Sequence, residues 1–291
     1  MFKRLRINIF ITLSFCMSVL LVLAACSKSE SGAISEMTKS ISIKINESAD
    51  ELKKSNPGEF KHTPRPPGVN FYSVEWKTDA PGTVKVEQGS HSFAIGSALS
   101  VTGSDDPNFP DEHILDWKIN AGVSDDDLIG HDEARRKFFN ILRGLRNAGW
   151  SRWISPSEPR LKAIDAINYM RNGLAVYGLD PDYELSLEQW MGLPSRTTWR
   201  LHADKAYLDI SLTRDLSRSD PKQPGAYFVE YTLVSENERL RAMVGPEKRA
   251  AWKAELPQQL AKMHAARLKK EEQLKISRIS IDESYQDTPM P

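Results

Sequence analysis

The chain has 291 residues, with 39 Lys and Arg against 39 Asp and Glu, two Cys, and 40% hydrophobic residues. That composition excludes collagen-like, disulfide-scaffold and wholly disordered chains, and the balanced charge excludes an ordinary nucleic-acid binder. A single long apolar run, near the start, excludes a polytopic membrane protein.

The first segment places Lys3, Arg4 and Arg6 before an apolar run from Ile7 to Leu23 and the small residues Ala24 and Ala25. This is the pattern of a secretory signal. Leu23-Ala24-Ala25-Cys26 resembles the lipobox of bacterial lipoproteins. The resemblance implies removal of residues 1–25, diacylglycerol on the Cys26 sulfur and an acylated new amine. Three acyl chains, at ~0.8 kcal/mol per buried CH₂, give permanent attachment to a bilayer. Ser27 in place of Asp resembles lipoproteins sorted to the outer membrane, so a periplasm-facing envelope protein is expected. Cys16 leaves with the signal and Cys26 is taken by lipid. The mature chain then has no disulfide, thiolate metal site or Cys nucleophile. Removing three basic residues leaves 36 Lys and Arg against 39 Asp and Glu, a formal charge of −3.

Residues 26–66 read as a tether, with Ser27 to Gly32 small and polar and Pro-Gly breakers at Pro57-Gly58 and Pro67-Gly68. Ile41, Ile43 and Ile45 alternate with polar residues and can form a short strand or transient helix within it. The folded part is expected over 67–236 as an α+β domain. Asn70 to Trp76, Thr83 to Glu87 and His91 to Ile95 form an N-terminal meander of strands. Residues 100–133 form an acidic connection, ten Asp and Glu against Lys118 alone, or −9.

A helix starts near His131, with Ala134, Phe138, Ile141, Leu142, Leu145 and Ala148 on one stripe and Gly149 as its stop. Trp150 to Ile154 reads as a strand. Leu161, Ile164, Ile167 and Met170 mark a second helix, and Leu187 to Met191 a third, capped by Ser186. Thr197 to Ala203 and Ala206 to Thr213 alternate about Asp204-Lys205 as a hairpin, and Ala226 to Val234 adds a third strand. Ser235 and Glu238 form a capping box, and helices are expected over 237–276, opened again by Pro246 and kinked or broken at Pro257. Residues 277–291 are expected to be a loose tail.

No Walker loop, His-Glu-x-x-His, Gly-x-Gly-x-x-Gly or Gly-x-Ser-x-Gly occurs, so no cofactor, metal or catalytic residue is assigned. His131-Asp132-Glu133 point three ways on a helix and read as a charged first turn. His202 and Asp204 flank the hairpin turn. An envelope hydrolase would need His131 and His202 in one cleft. The acidic run lacks the alternation and glycine of a calcium loop. A weak cation site, a solvated face and a docking surface for a basic partner are its three readings, with Asp125, Asp126 and Asp127 the expected partner contact. Trp150, Trp153, Trp190 and Trp199 read as core anchors rather than an open aromatic groove. The segment from Pro246 to Arg278 carries nine Lys and Arg against four Glu, a solvated basic face able to touch anionic lipid or the chain's own acids.

His131 to Arg135, Leu145 to Trp150, Glu158-Pro159-Arg160, Leu187 to Met191 and His202-Ala203-Asp204 resemble uncharacterised proteobacterial proteins associated with type VI secretion. The resemblance implies a non-catalytic, immunity-type or protein-binding role, with another envelope or secreted protein as partner and no nucleic acid. A structural lipoprotein of an envelope assembly is the alternative beside the hydrolase.

Overall fold

A computed structural model describes residues 40–66, 68–173 and 177–289. In chain order the elements are β1 (Ser40–Ile43), α1 (Ala49–Ser55), β2 (Lys61–Arg65), β3 (Val69–Glu75), β4 (Gly82–Val86), β5 (Phe93–Asp105) and β6 (Ile114–Gly122). Then come α2 (His131–Asn147), β7 (Ser151–Arg152), α3 (Ala163–Asn172), β8 (Gly178–Leu179) and α4 (Leu187–Met191). Last are β9 (Arg196–Ala203), β10 (Ala206–Arg214), β11 (Tyr227–Ser235), α5 (Glu236–Val244) and α6 (Trp252–Ile276).

The fold is α+β. One sheet runs β1-β4-β5-β6-β11-β10-β9-β7, with β3 on β5, β2 on β3 and β8 on β9. It is antiparallel except where β1 meets β4 and β8 meets β9. β3 and β4 lie end to end along one edge of the long β5, which explains its 13 residues. The expected hairpin is present, with Ala203 opposite Ala206 and Asp204 in the left-handed region at φ 51°. Short polar Asp tolerates that conformation well.

Alternation sorts the sheet into two faces. One is apolar. Leu208, Ile210 and Leu212 of β10 lie beside Trp199 and Leu201 of β9, all buried. The predicted stripe of α2 covers them: Phe138 reaches Trp199 at 4.7 Å and Trp190 of α4 at 5.7 Å. Trp150, Trp153, Trp190 and Trp199 are all buried, as core anchors. Each such side chain contributes roughly 1.5–3 kcal/mol by leaving water. Farther along, Trp117 of β6 lies flat against β5. A Cβ on Gly103 would sit 2.6 Å from its ring, so only glycine lets the ring approach. The other face is polar, carrying Arg196, Thr198, Arg200 and His202 of β9 opposite Thr213, Ser211, Asp209 and Tyr207 of β10.

Five expectations change. The tether of 26–66 is folded from residue 40, since Ile41 and Ile43 are 1% exposed and pack with Leu52 of α1. Ser48 and Glu51 form a full capping box that starts α1. The acidic connection of 100–133 is largely sheet. Trp117, Ile119 and Ala121 point into the core from β6, while its charges occupy the alternate positions on the polar face. The strand expected at Trp150 to Ile154 shrinks to two residues, because the chain turns away after Arg152. The tail expected to be loose is docked as far as residue 287: Ile281 is buried, Tyr285 Oη accepts the Ile154 N–H at 2.8 Å, and Asp287 pairs with Arg267 at 2.6 Å. α6 also runs on through Pro257. Its missing N–H would have met the Lys253 carbonyl on an exposed turn, where water can take its place.

The margin of the sheet at β1 is closed by a side chain. Asn56, just past α1, accepts the Ser42 N–H at 2.8 Å and donates to the Ser42 carbonyl at 2.7 Å. The β2 margin carries Lys61, Pro64 and Arg65, which discourage pairing. A second small core, Leu240, Trp252 and Leu256 with Phe109 against them, joins α5 and α6 to the β5–β6 turn.

Candidate functional site

The acids of 100–133 meet different fates. Near the β5–β6 turn they are neutralised. Glu112 takes both Arg241 Nη1 at 2.9 Å and Nη2 at 2.7 Å, a two-pronged pair. Arg241 is fully buried, reaches Glu238 through Nε at 3.0 Å and lies 3.9 Å over the Phe109 ring. Arg249 binds Glu238 at 2.6 Å and Asp106 at 2.8 Å. Burial pushes the Asp106 carboxyl up, but hydrogen bonds from Asn108 and Arg249 outweigh it and hold it below the usual range. The basic C-terminal segment thus meets the chain's own acids, and Arg267 and Lys270 are likewise paired, with Asp287 and Glu158.

The opposite end of the sheet differs. Asp125, Asp126 and Asp127 are exposed in the loop between β6 and α2. Asp125 accepts the Ser97 Oγ–H at 2.6 Å, and among the described residues no cation pairs with any of the three. This loop is tied to the loop between β10 and β11 by a two-way backbone bridge, Ile129 to Gly225 at 3.0 Å and back at 2.9 Å. The pair of loops exposes three apolar side chains: Leu216 at 51%, Leu128 at 40% and Phe228 at 36%. Leu216 and Phe228 line an open hollow of about 500 Å³ with Thr213 and Ser217. Phe228 and Tyr227 also border a smaller one of about 90 Å³ beside the three aspartates.

His131 holds these loops together. Asp132 and Glu133 form the exposed, ion-paired first turn expected of them, but His131 is 3% exposed. Its Nε2 lies 3.1 Å from the Asp220 carbonyl and its Nδ1 2.5 Å from Tyr227 Oη, which also accepts Trp190 Nε1–H at 3.0 Å. A carbonyl only accepts, so Nε2 carries the proton and Nδ1 takes the tyrosine's. Every polar atom of the relay is then satisfied by a neutral imidazole. His131 is a clamp on the 215–225 loop rather than an exposed acid or base.

His202 lies elsewhere. Its ring is 4.6 Å from Tyr207, and burial pushes its pKa down against an opposing hydrogen bond with the Asp204 backbone. His131 meets Tyr227, opposite Arg214, whereas His202 is opposite Tyr207. Seven residues of β10 separate the two ends, roughly 23 Å at 3.3 Å per residue. The two histidines share no cleft, so a hydrolase using both is excluded. Among the described residues no three His, Cys, Asp or Glu converge to hold a metal.

Among the described residues no cation pairs with the buried carboxylate of Glu47. Glu47, 5% exposed, accepts the Lys44 N–H at 2.7 Å, and burial pushes it up to about 7. Its burial was not foreseen, because residues 40–47 were placed in the tether.

Cys26 and the signal segment lie outside the described residues. Among the described residues no helix is long and apolar enough to cross a membrane. Comparison with protein-family models, curated proteins and solved structures finds no match to this chain.

Proposed function

We propose that this chain is a non-catalytic binding domain of the bacterial envelope, tethered by lipid on Cys26, facing the periplasm, and bound to the outer membrane. Its target is a basic protein, and it docks on the loop end that carries Asp125, Asp126 and Asp127. The observation that supports this is the juxtaposition of three uncompensated carboxylates with exposed Leu128, Leu216 and Phe228. Bare acids steer a cationic partner and set its orientation, while apolar anchors in a shallow hollow supply the affinity. His131 supports the reading by holding both loops to the sheet, which lowers the ordering cost of binding. Among basic partners, a secreted toxin is the one suggested by the resemblance to proteins of type VI secretion loci, which would make the role immunity-type.

Two experiments test the two halves separately. Labelled palmitate is expected to enter the wild-type chain and not Cys26→Ser, and globomycin is expected to hold the precursor at full size. No labelling refutes the anchor and leaves the docking face standing. Capture from an envelope extract is expected to recover a basic protein with the wild type and lose it with Asp125→Lys, Asp126→Lys and Asp127→Lys combined, or with Phe228→Ser. Equal recovery by these variants refutes the face.

A further inference from the structure

At the other end of β10, two guanidinium groups share one carboxylate. Arg200 of β9 and Asp209 of β10 are directly opposed, and Arg239 of α5 reaches down onto the same face. Arg239 Nη2 takes Asp209 Oδ1 at 2.8 Å. Arg200 Nε is left 3.7 Å from Oδ2, too long for a hydrogen bond. Both arginine side chains are only 16% exposed. Glu158, the other carboxylate that acts on Arg200, is already engaged by Lys270 at 2.8 Å and Tyr169 at 3.2 Å. Arg200 is therefore left without a carboxylate at hydrogen-bond distance in a largely buried place. Burial, followed by the nearby Arg239 charge, lowers the pKa of Arg200 despite Asp209. Buried charges are normally paired, because an unpaired one loses its hydration without compensation.

Four buried polar atoms of this cluster have no hydrogen-bond partner: Arg200 Nε, Arg239 Nε, Tyr207 Oη and His202 Nε2. Their side chains touch one another. Trp153 forms the wall, 5.8 Å from the Arg200 guanidinium, 5.0 Å from that of Arg239 and 5.3 Å from the Tyr207 ring. Arg239 also lies 5.4 Å over Tyr207, and Tyr207 stacks on His202 at 4.6 Å. An arginine without a hydrogen-bonded carboxylate, two free guanidinium N–H groups and a free phenol O–H in one cluster match the acceptors of an oxyanion. Arg200 and Arg239 each keep a solvent-exposed part.

We propose that Arg200, Arg239 and Tyr207 form a binding site for a small oxyanion, the carboxylate or phosphate group of a ligand, at the end of the sheet away from Asp125. This site is independent of the docking face. The test uses the full-length chain in detergent, titrated with inorganic phosphate and with succinate at constant ionic strength, with chloride as reference. At ten times the dissociation constant the better anion is expected to raise the melting temperature by roughly 4 °C. Whichever anion gives the larger shift identifies the source. Arg239→Lys keeps the charge that faces Asp209 and removes the Nε–H, so affinity is expected to fall about tenfold. Tyr207→Phe removes a hydroxyl with no protein partner. It is expected to leave the unliganded melting temperature unchanged and still to weaken anion binding several-fold. No shift beyond chloride with either anion overturns the proposal, as do equal shifts in the wild type and Tyr207→Phe.

Discussion

Asp106 and Glu112 lie within twenty residues of Asp125 to Asp127 in one acidic run, yet the two groups behave oppositely. The first is drawn into a buried lattice with Arg241, Arg249 and Glu238 around Phe109, joining the last two helices to the sheet. The second stands in water with no cation beside it. A sum of −9 over the segment hides this division. Charge density in a sequence becomes a binding surface only where the fold brings no counter-charge, and here the basic C-terminal region serves one end of the sheet alone. Glu47 is a third case: buried, unpaired, and pushed up to about 7.

The largest effect is expected on breaking the lattice. Arg241→Met leaves Glu112 without its cation and Glu238 with Arg249 alone, and is expected to lower the unfolding free energy in urea by about 3–5 kcal/mol. A change under about 1 kcal/mol would mean that the Leu240, Trp252 and Leu256 packing holds α5 and α6 unaided. Acid attacks the same lattice. Asp106 has a lowered folded pKa, so its contribution is full above the ordinary carboxylate value and is lost as pH falls through the folded one. Amide exchange in α5 and α6 is expected to quicken below about pH 4.

Glu47 gives the opposite sign. Its raised pKa favours the protonated folded form, so its contribution is full below pH 4.5 and is lost as pH rises through about 7. At 1.36 kcal/mol per pKa unit the loss is at most about 3 kcal/mol. Glu47→Gln keeps the acceptor for Lys44 and is expected to flatten stability between pH 5 and 8. A slope that persists in this variant places the titration elsewhere.

At the Asp125 end of the sheet, His131→Phe leaves the Asp220 carbonyl without its donor and the Tyr227 O–H without its acceptor, at about 1–3 kcal/mol. Faster amide exchange at Gly225 is the specific sign, since its N–H donates to the Ile129 carbonyl in the clamped loops. Reversal of Asp125, Asp126 and Asp127 is expected to shift stability by no more than about 0.5 kcal/mol, because all three are exposed and the bond from Ser97 to Asp125 lies at the surface. A large loss on unfolding would show them to be structural and would end the contrast with Asp106.

Much of the second half of the chain was legible. The β9–β10 hairpin, the α2 stripe and the Ser186 and Ser235 caps all rest on patterns a few residues long. The first half was harder. β1 has four residues and β6 carries Asp116, Lys118 and Asn120 at alternate positions, so neither stands out from a polar segment. The Ser48 and Glu51 box was nonetheless readable and marked structure before residue 67. Exposure of Asp125 to Asp127 followed from composition. Burial of His131 did not, because Tyr227 is 96 residues away. The opposition of Arg200 and Asp209 follows from the hairpin register, but the arrival of Arg239 from α5 depends on tertiary packing.

Asn56 has a consequence for the protein in a crowd. Copies held at high density on a surface meet margin first, and an open strand would let each recruit the next into a growing ribbon. The carboxamide already occupies the Ser42 positions that such recruitment needs, so the molecule is finished at that side. A leucine there would leave the Ser42 N–H and carbonyl unpaired and the row open, turning each copy into a seed for the next.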